Sequence, residues 1–133
     1  MKTTSMLWNK PSKHTIYPWA LQHWNITPVG SRVTCIPPPM DTDIDYLILG
    51  NVRKITKHLE NIGFHSQYSS NYGFDSNFCS LRSGNVNTIV TNSKRFHSKF
   101  LLATSVAKEL NLIEKYYRVV LFQAILYGNY PSQ

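Results

Sequence analysis

Acidic side chains are scarce in this chain. Seven of its 133 residues are Asp or Glu, against 14 Lys and Arg, giving a formal charge of +7 and a pI near 9.5. Three of the seven, Asp41, Asp43 and Asp45, crowd into five positions, which leaves Glu60, Asp75, Glu109 and Glu114 for all the rest. Most of the surface is therefore basic and suits an anionic partner: nucleic acid, a nucleotide or an acidic protein. The crowded carboxylates repel one another, a costly arrangement unless something cationic sits among them.

Other absences narrow the class further. The only cysteines, Cys35 and Cys79, lie far apart without C-x-x-C spacing, and the five histidines (His14, His23, His58, His65, His97) show no H-x-x-x-H or Cys-His pattern, so the usual zinc signatures are missing. No apolar run approaches the roughly 20 residues of a membrane-spanning helix, and the opening MKTTSMLWNK has no secretory core. These features predict a cytoplasmic protein, with reduced thiols. There is no internal repeat and no low-complexity tract. With 42% hydrophobic and 13% aromatic residues, the length predicts one compact domain spanning 16–133 behind an arm at 1–15.

Along the chain, Pro18 in IYPWALQHW predicts a short helix over Ile16–Trp24, with Trp19 and Trp24 in the core. Asn25–Val29 reads as a short extended run before the Gly30-Ser31 turn, and Pro37-Pro38-Pro39 as a loop. DIDYLIL, Asp43–Leu49, has strand composition. Val52, Ile55, Leu59 and Ile62 fall at helical spacing up to Gly63, with Arg53, Lys54 and Lys57 between them. Phe64–Asn77 is rich in Ser, Asn, Tyr and Gly and reads as a long loop, whose Tyr68 and Tyr72 suit either base stacking or plain exposure. Two strands, Phe78–Arg82 and Val86–Thr91, form a hairpin around Ser-Gly-Asn. Ser93 caps a helix with Phe96, Phe100, Thr104, Ala107 and Leu110 on its buried face, and Lys115–Tyr127 forms a last helix apolar enough to be buried.

Side chains alternate along a strand, so Asp43 and Asp45 share a face with Cα atoms about 7 Å apart, while Ile44 and Tyr46 take the other. Two carboxylates beside a Gly-Ser turn can bind Mg²⁺ while the turn holds phosphate oxygens, which is equipment for phosphoryl or nucleotidyl transfer. The basic residues Arg53, Lys54 and Lys57, with Lys94, Arg95 and Lys99 on the later helix, form either a solvated face or a nucleic-acid surface.

Gly30-Ser31-Arg32 followed by Asp43-Ile44-Asp45-Tyr46 resembles the Gly-Ser…Asp-x-Asp signature of the polymerase-β-type (minimal) nucleotidyltransferase superfamily. The C-terminal part from Asn87 to Asn129 is similar to small nucleotidyltransferase-like proteins of tailed bacteriophages. The resemblance implies an α/β (α+β) domain with a small mixed sheet flanked by helices. It implies that Gly30 and Ser31 engage the phosphates of a nucleoside triphosphate with help from Arg32, that Asp43 and Asp45 hold Mg²⁺, and that the reaction transfers a nucleoside monophosphate to a hydroxyl. An RNA or tRNA end is the first candidate acceptor and a protein hydroxyl the second. Asp41 lies outside the motif. Active members add a third carboxylate from a later strand, and Asn87 stands at the corresponding position here. An amide can bind a metal but cannot take a proton at neutral pH. The other expectation, in which catalysis is lost, is a nucleotidyltransferase-fold phage protein that binds nucleic acid or an acidic host protein in the host cytoplasm, for example against host defence.

Overall fold

The computed structural model describes residues 24–39, 43–67 and 77–128. In chain order the elements are β1 (Asn25–Val29), α1 (Ser31–Thr34), β2 (Ile44–Leu49), α2 (Val52–Asn61), β3 (His65–Gln67), β4 (Cys79–Ser83), β5 (Val86–Thr91), α3 (Lys94–Glu109) and α4 (Lys115–Tyr127). The strands build one mixed sheet in the order β1-β2-β5-β4-β3. Only the β2–β5 pair is parallel; β1 with β2, β4 with β5 and β3 with β4 are antiparallel. This small α/β domain agrees with the expected mixed sheet flanked by helices.

Period-two alternation in the two central strands divides the core. Tyr46, Ile48, Val86 and Val90 face one side and pack with Ile55 and Leu59 of α2, Phe64 and Leu81. Leu47 and Ile89 face the other and pack with Phe96, Phe100, Ala103 and Ala107 of α3 and Phe122 and Leu126 of α4. Both helices that follow the parallel strands have side-chain caps: Asn51 Oδ1 accepts from Lys54 N at 3.0 Å and Ser93 Oγ accepts from Phe96 N at 3.1 Å. Gly63, at φ 105°, ends α2 in a left-handed turn that lets Phe64 N reach Leu59 O at 2.9 Å and sends the Phe64 ring back into the core. On the outer strand β1, Pro28 stands opposite Tyr46.

Several expectations change in detail. β2 begins at Ile44, so Asp43 precedes the strand, and β4 runs one residue later than expected. His65–Gln67, expected as loop, adds an outer strand to β4; its polar residues carry no apolar alternation to reveal it. Leu110 is 60% exposed because α3 ends at Glu109. The final helix is partly rather than wholly buried: Phe122 and Leu126 are interior and its later turns half-buried, whereas Tyr116 and Tyr117 in its first turn are 63% and 57% exposed. The N-terminal arm, the 16–23 stretch of the first expected helix, Asp41, Tyr68 and Tyr72 lie outside the described residues. Trp24 is described, half-buried and edge-on to the His58 ring at 5.2 Å.

The division of the core sets a stability test. Phe100, fully buried among aromatic rings, is expected to cost about 3–5 kcal/mol on truncation to Ala, while Leu110→Ala should stay within about 0.5 kcal/mol of wild type. Urea denaturation of both variants checks this, and comparable losses would mean that Leu110 is buried after all.

Candidate functional site

The sheet register aligns one row of side chains across all five strands: Val29, Asp45, Asn87, Arg82 and His65 are successive partners. At the start of β2 this row makes the acidic site. Asp45 stands near the start of β2, ahead of Leu47, which joins the helical core on the same face. Gly30, at the end of β1 with φ 82°, lies directly against the Asp45 carboxylate. A Cβ added there would overlap Asp45 Oδ2 and sit 2.8 Å from Cγ, so both the backbone angle and the contact require glycine. Ser31 and Arg32 follow at once in the short helix α1, and the Arg32 charge is close enough to lower the pKa of both carboxylates.

The two acids differ in environment. Burial, reinforced by the Asp43 charge, pushes Asp45 up to about 6, against the hydrogen bond from Asn87 and the charges of Arg82 and Arg32. Asp43 is held below its ordinary value, chiefly by the hydrogen bond from Arg82, whose Nη2 donates to Oδ2 at 2.6 Å, with Lys115 and Arg32 contributing at longer range. This pair is half-exposed, with 35% and 44% of the two side chains accessible, and pairs of that kind are worth about 0–1 kcal/mol to the fold. Asn87 is buried and donates from Nδ2 to Asp45 Oδ1 at 3.1 Å, while its own Oδ1 receives Ser80 Oγ at 3.0 Å and Gln67 Nε2 at 2.7 Å. Gln67 Oε1 accepts from Arg82 Nε at 3.1 Å.

Gly30, Asp43, Asp45 and Asn87, proposed from sequence, thus meet in one place, with Arg32 near enough to act on both acids and Ser31 next to Gly30 in the chain. Arg82, Gln67, Ser80 and Lys115 were missed. Alternation in CSLRS places Ser80 and Arg82 on one face of β4 opposite Leu81, a usable signal, whereas Gln67 comes from the unrecognised β3 and Lys115 from a helix distant in sequence. Among the described residues, no group of three or more His, Cys, Asp or Glu converges as metal ligands; the acids here are a pair.

The basic residues lie elsewhere. Helices α2 and α3 cover opposite faces of the sheet, so Lys54, Lys57, Arg95 and Lys99 do not form one patch with a common face. Arg53 and Lys94 do meet, lining a cleft of about 450 Å³ with Leu49, Gly50, Asn51, Val52 and Asn92. It opens at the far end of β2 and β5, about 15 Å from Asp45 at the rise of an extended strand. No protein-family model, no curated protein and no solved structure matches the chain.

The raised pKa of Asp45 sets a pH signature. Below about pH 4 the carboxyl is neutral in both folded and unfolded chains; between about 4 and 6 the unfolded chain ionises first, so stability falls as pH rises; above about 6 the full penalty remains, on the order of 2–3 kcal/mol. In chelator-treated protein, Asp45→Asn is therefore expected to be the more stable form at pH 7.5 by that order, with the gap closing toward pH 4. Chemical denaturation at the two pH values measures it, and a gap independent of pH would show that Asp45 ionises normally.

Proposed function

We propose that this domain is a polymerase-β-type nucleotidyltransferase unit that binds a nucleoside triphosphate with Mg²⁺ at Gly30, Ser31, Asp43 and Asp45. The observation that carries the reading is the packing of the Gly30 backbone on the Asp45 carboxylate, because it joins the two halves of a signature otherwise separated in sequence. The order of elements supports it: a strand followed by Gly-Ser, a short helix, the aspartate strand, a longer helix, and a later strand that lies parallel beside Asp45.

The donor set fits Mg²⁺. Carboxylate oxygens are the hard ligands this ion prefers, one or two carboxylates commonly suffice when phosphates and water complete the shell, and Asp45 is a largely desolvated acid whose charge a cation would compensate. When bound, the ion would neutralise phosphate charge and favour attack at the α-phosphorus. The chain itself supplies Asp43 and Asp45 to hold the ion, and the Gly30-Ser31 turn with Arg32 to hold the triphosphate. In the transfer, the acceptor hydroxyl oxygen bonds to the α-phosphorus, the bond to pyrophosphate breaks, and the hydroxyl proton passes to water, because Asn87 cannot accept it.

That last point favours a second reading, in which the fold serves to bind nucleic acid or a protein and transfer is lost. Asn87 presents an N–H to Asp45 rather than a carboxylate to a metal. Arg53 and Lys94, meeting in one cleft, give this reading a contact surface.

Mg²⁺ with a nucleoside triphosphate is expected to raise the melting temperature by several degrees at saturation, and the paired change Asp43→Asn with Asp45→Asn to abolish the rise. Asn87→Asp should then increase transfer of labelled nucleotide over wild type. A rise that survives loss of both carboxylates would place the nucleotide elsewhere.

For the second reading, binding to single-stranded RNA should weaken steeply with salt, and Arg53→Glu with Lys94→Glu should weaken it about tenfold or more while leaving nucleotide binding intact. Filter binding across a salt series tests this; a flat series would point to a protein partner.

A further inference from the structure

Arginine carries five N–H donors and no acceptor, and this asymmetry gives the hydrogen bonds around the acidic pair a fixed direction. Arg82 Nε donates to Gln67 Oε1 at 3.1 Å. With its oxygen so engaged, Gln67 turns its nitrogen toward β4 and β5, 2.7 Å from Asn87 Oδ1 and 2.8 Å from Ser80 Oγ. The Ser80 hydroxyl donates its own hydrogen bond to the same Asn87 oxygen at 3.0 Å. Asn87, its oxygen receiving two donors, directs Nδ2 at Asp45 Oδ1, 3.1 Å away.

None of these amides can be reversed alone. Turning Asn87 over would set its NH₂ against that of Gln67, and turning Gln67 over would set its NH₂ against the guanidinium. Meanwhile Arg82 Nη2 holds Asp43 Oδ2 at 2.6 Å and Nη1 reaches the Gly84 carbonyl at 3.1 Å. One side chain therefore grips both carboxylates, Asp43 directly and Asp45 through two amides.

We propose that Arg82 is the positioning residue of the acidic site and its internal counter-cation: its fork fixes Asn87 as a donor to Asp45 and occupies Asp43, so that a divalent cation approaching the pair competes with the guanidinium. The amide relay stands independently of the proposed function, whereas the competition with a metal rests on it. A merely structural Arg82, tying down the Gly84 turn, would affect stability alone.

The test uses the full chain and two readouts. In ¹⁵N NMR of the metal-free protein, the Asn87 side-chain amide, assigned by its disappearance in Asn87→Asp, is expected to shift in Arg82→Met, which has no donor to offer Gln67, and to shift less in Arg82→Lys, which keeps N–H donors. By electron paramagnetic resonance with Mn²⁺ alone, affinity should rise about tenfold in Arg82→Met, which loses the charge, and stay within about threefold of wild type in Arg82→Lys. Gln67→Met, which breaks the relay and keeps the ion pair, should move the amide signal without changing Mn²⁺ affinity, and serves if the arginine variants do not fold. An unmoved Asn87 amide in folded variants overturns the positioning role. Equal or weaker Mn²⁺ binding in Arg82→Met overturns the counter-cation role. A moved amide with no Mn²⁺ binding in wild type or Arg82→Met supports the relay, and it is then the metal reading of Asp43 and Asp45 that falls.

Discussion

Parallel strands cannot be joined by a tight turn; the chain must travel back to the starting end of the sheet before the second strand can begin. Here α2, β3 and β4 make that return, and the resulting pairing of β2 with β5 governs everything else. It buries the two most apolar strands side by side, splits their side chains between two helical layers, and brings Asp45 level with Asn87. A slip of one residue in this register would exchange the two faces and send Asp45 into the layer occupied by Tyr46 and Ile48.

The two ends of that parallel pair have opposite character. At its start, carboxylates are gathered under a glycine turn and restrained by a guanidinium. At its finish, two capped helices begin beside Arg53 and Lys94. The distribution explains how a chain short of acids tolerates a concentration of them: Arg82, Arg32 and Lys115 all act on Asp43, so the clustered negative charge is partly balanced by residues from β4, α1 and α4. The cation that the acid cluster calls for is, in the protein itself, an arginine. Asp45, farther in, remains only partly compensated, and buried groups whose ionisation is opposed in this way concentrate at functional sites.

Much of this was legible in the sequence where side-chain periodicity was strong. The β-branched run Val86–Thr91 after the Ser-Gly-Asn turn and the helical spacing of Val52, Ile55 and Leu59 define elements whose observed bounds differ by a residue or less. The caps at Asn51 and Ser93 follow the same logic, though only Ser93 was recognised. The errors fall where periodicity gives no information. Leu110 continues the apolar stripe of α3 but lies one residue past its end, and α4 looks buried because its apolar residues outnumber the positions that actually face α3. At the site, Gly30, Asp45 and Asn87 were readable because motif spacing and strand alternation constrain them. Arg82 and Gln67 were not, because their roles depend on which strands become neighbours, and β3 pairs through backbone groups that leave little mark on residue choice.

The outer strands carry a consequence for association between molecules. A sheet edge with free N–H and C=O groups is a template on which other chains can add, and among the described residues this sheet ends on two outer strands, β1 and β3. Pro28 interrupts the donor row of β1, which is acceptable only on an edge, where no neighbour needs that N–H. At the opposite margin β3 is three residues long, too brief to guide another strand into register. Both borders of the sheet are thus poor seeds for strand addition, so the described fold resists end-to-end polymerisation through its own edges.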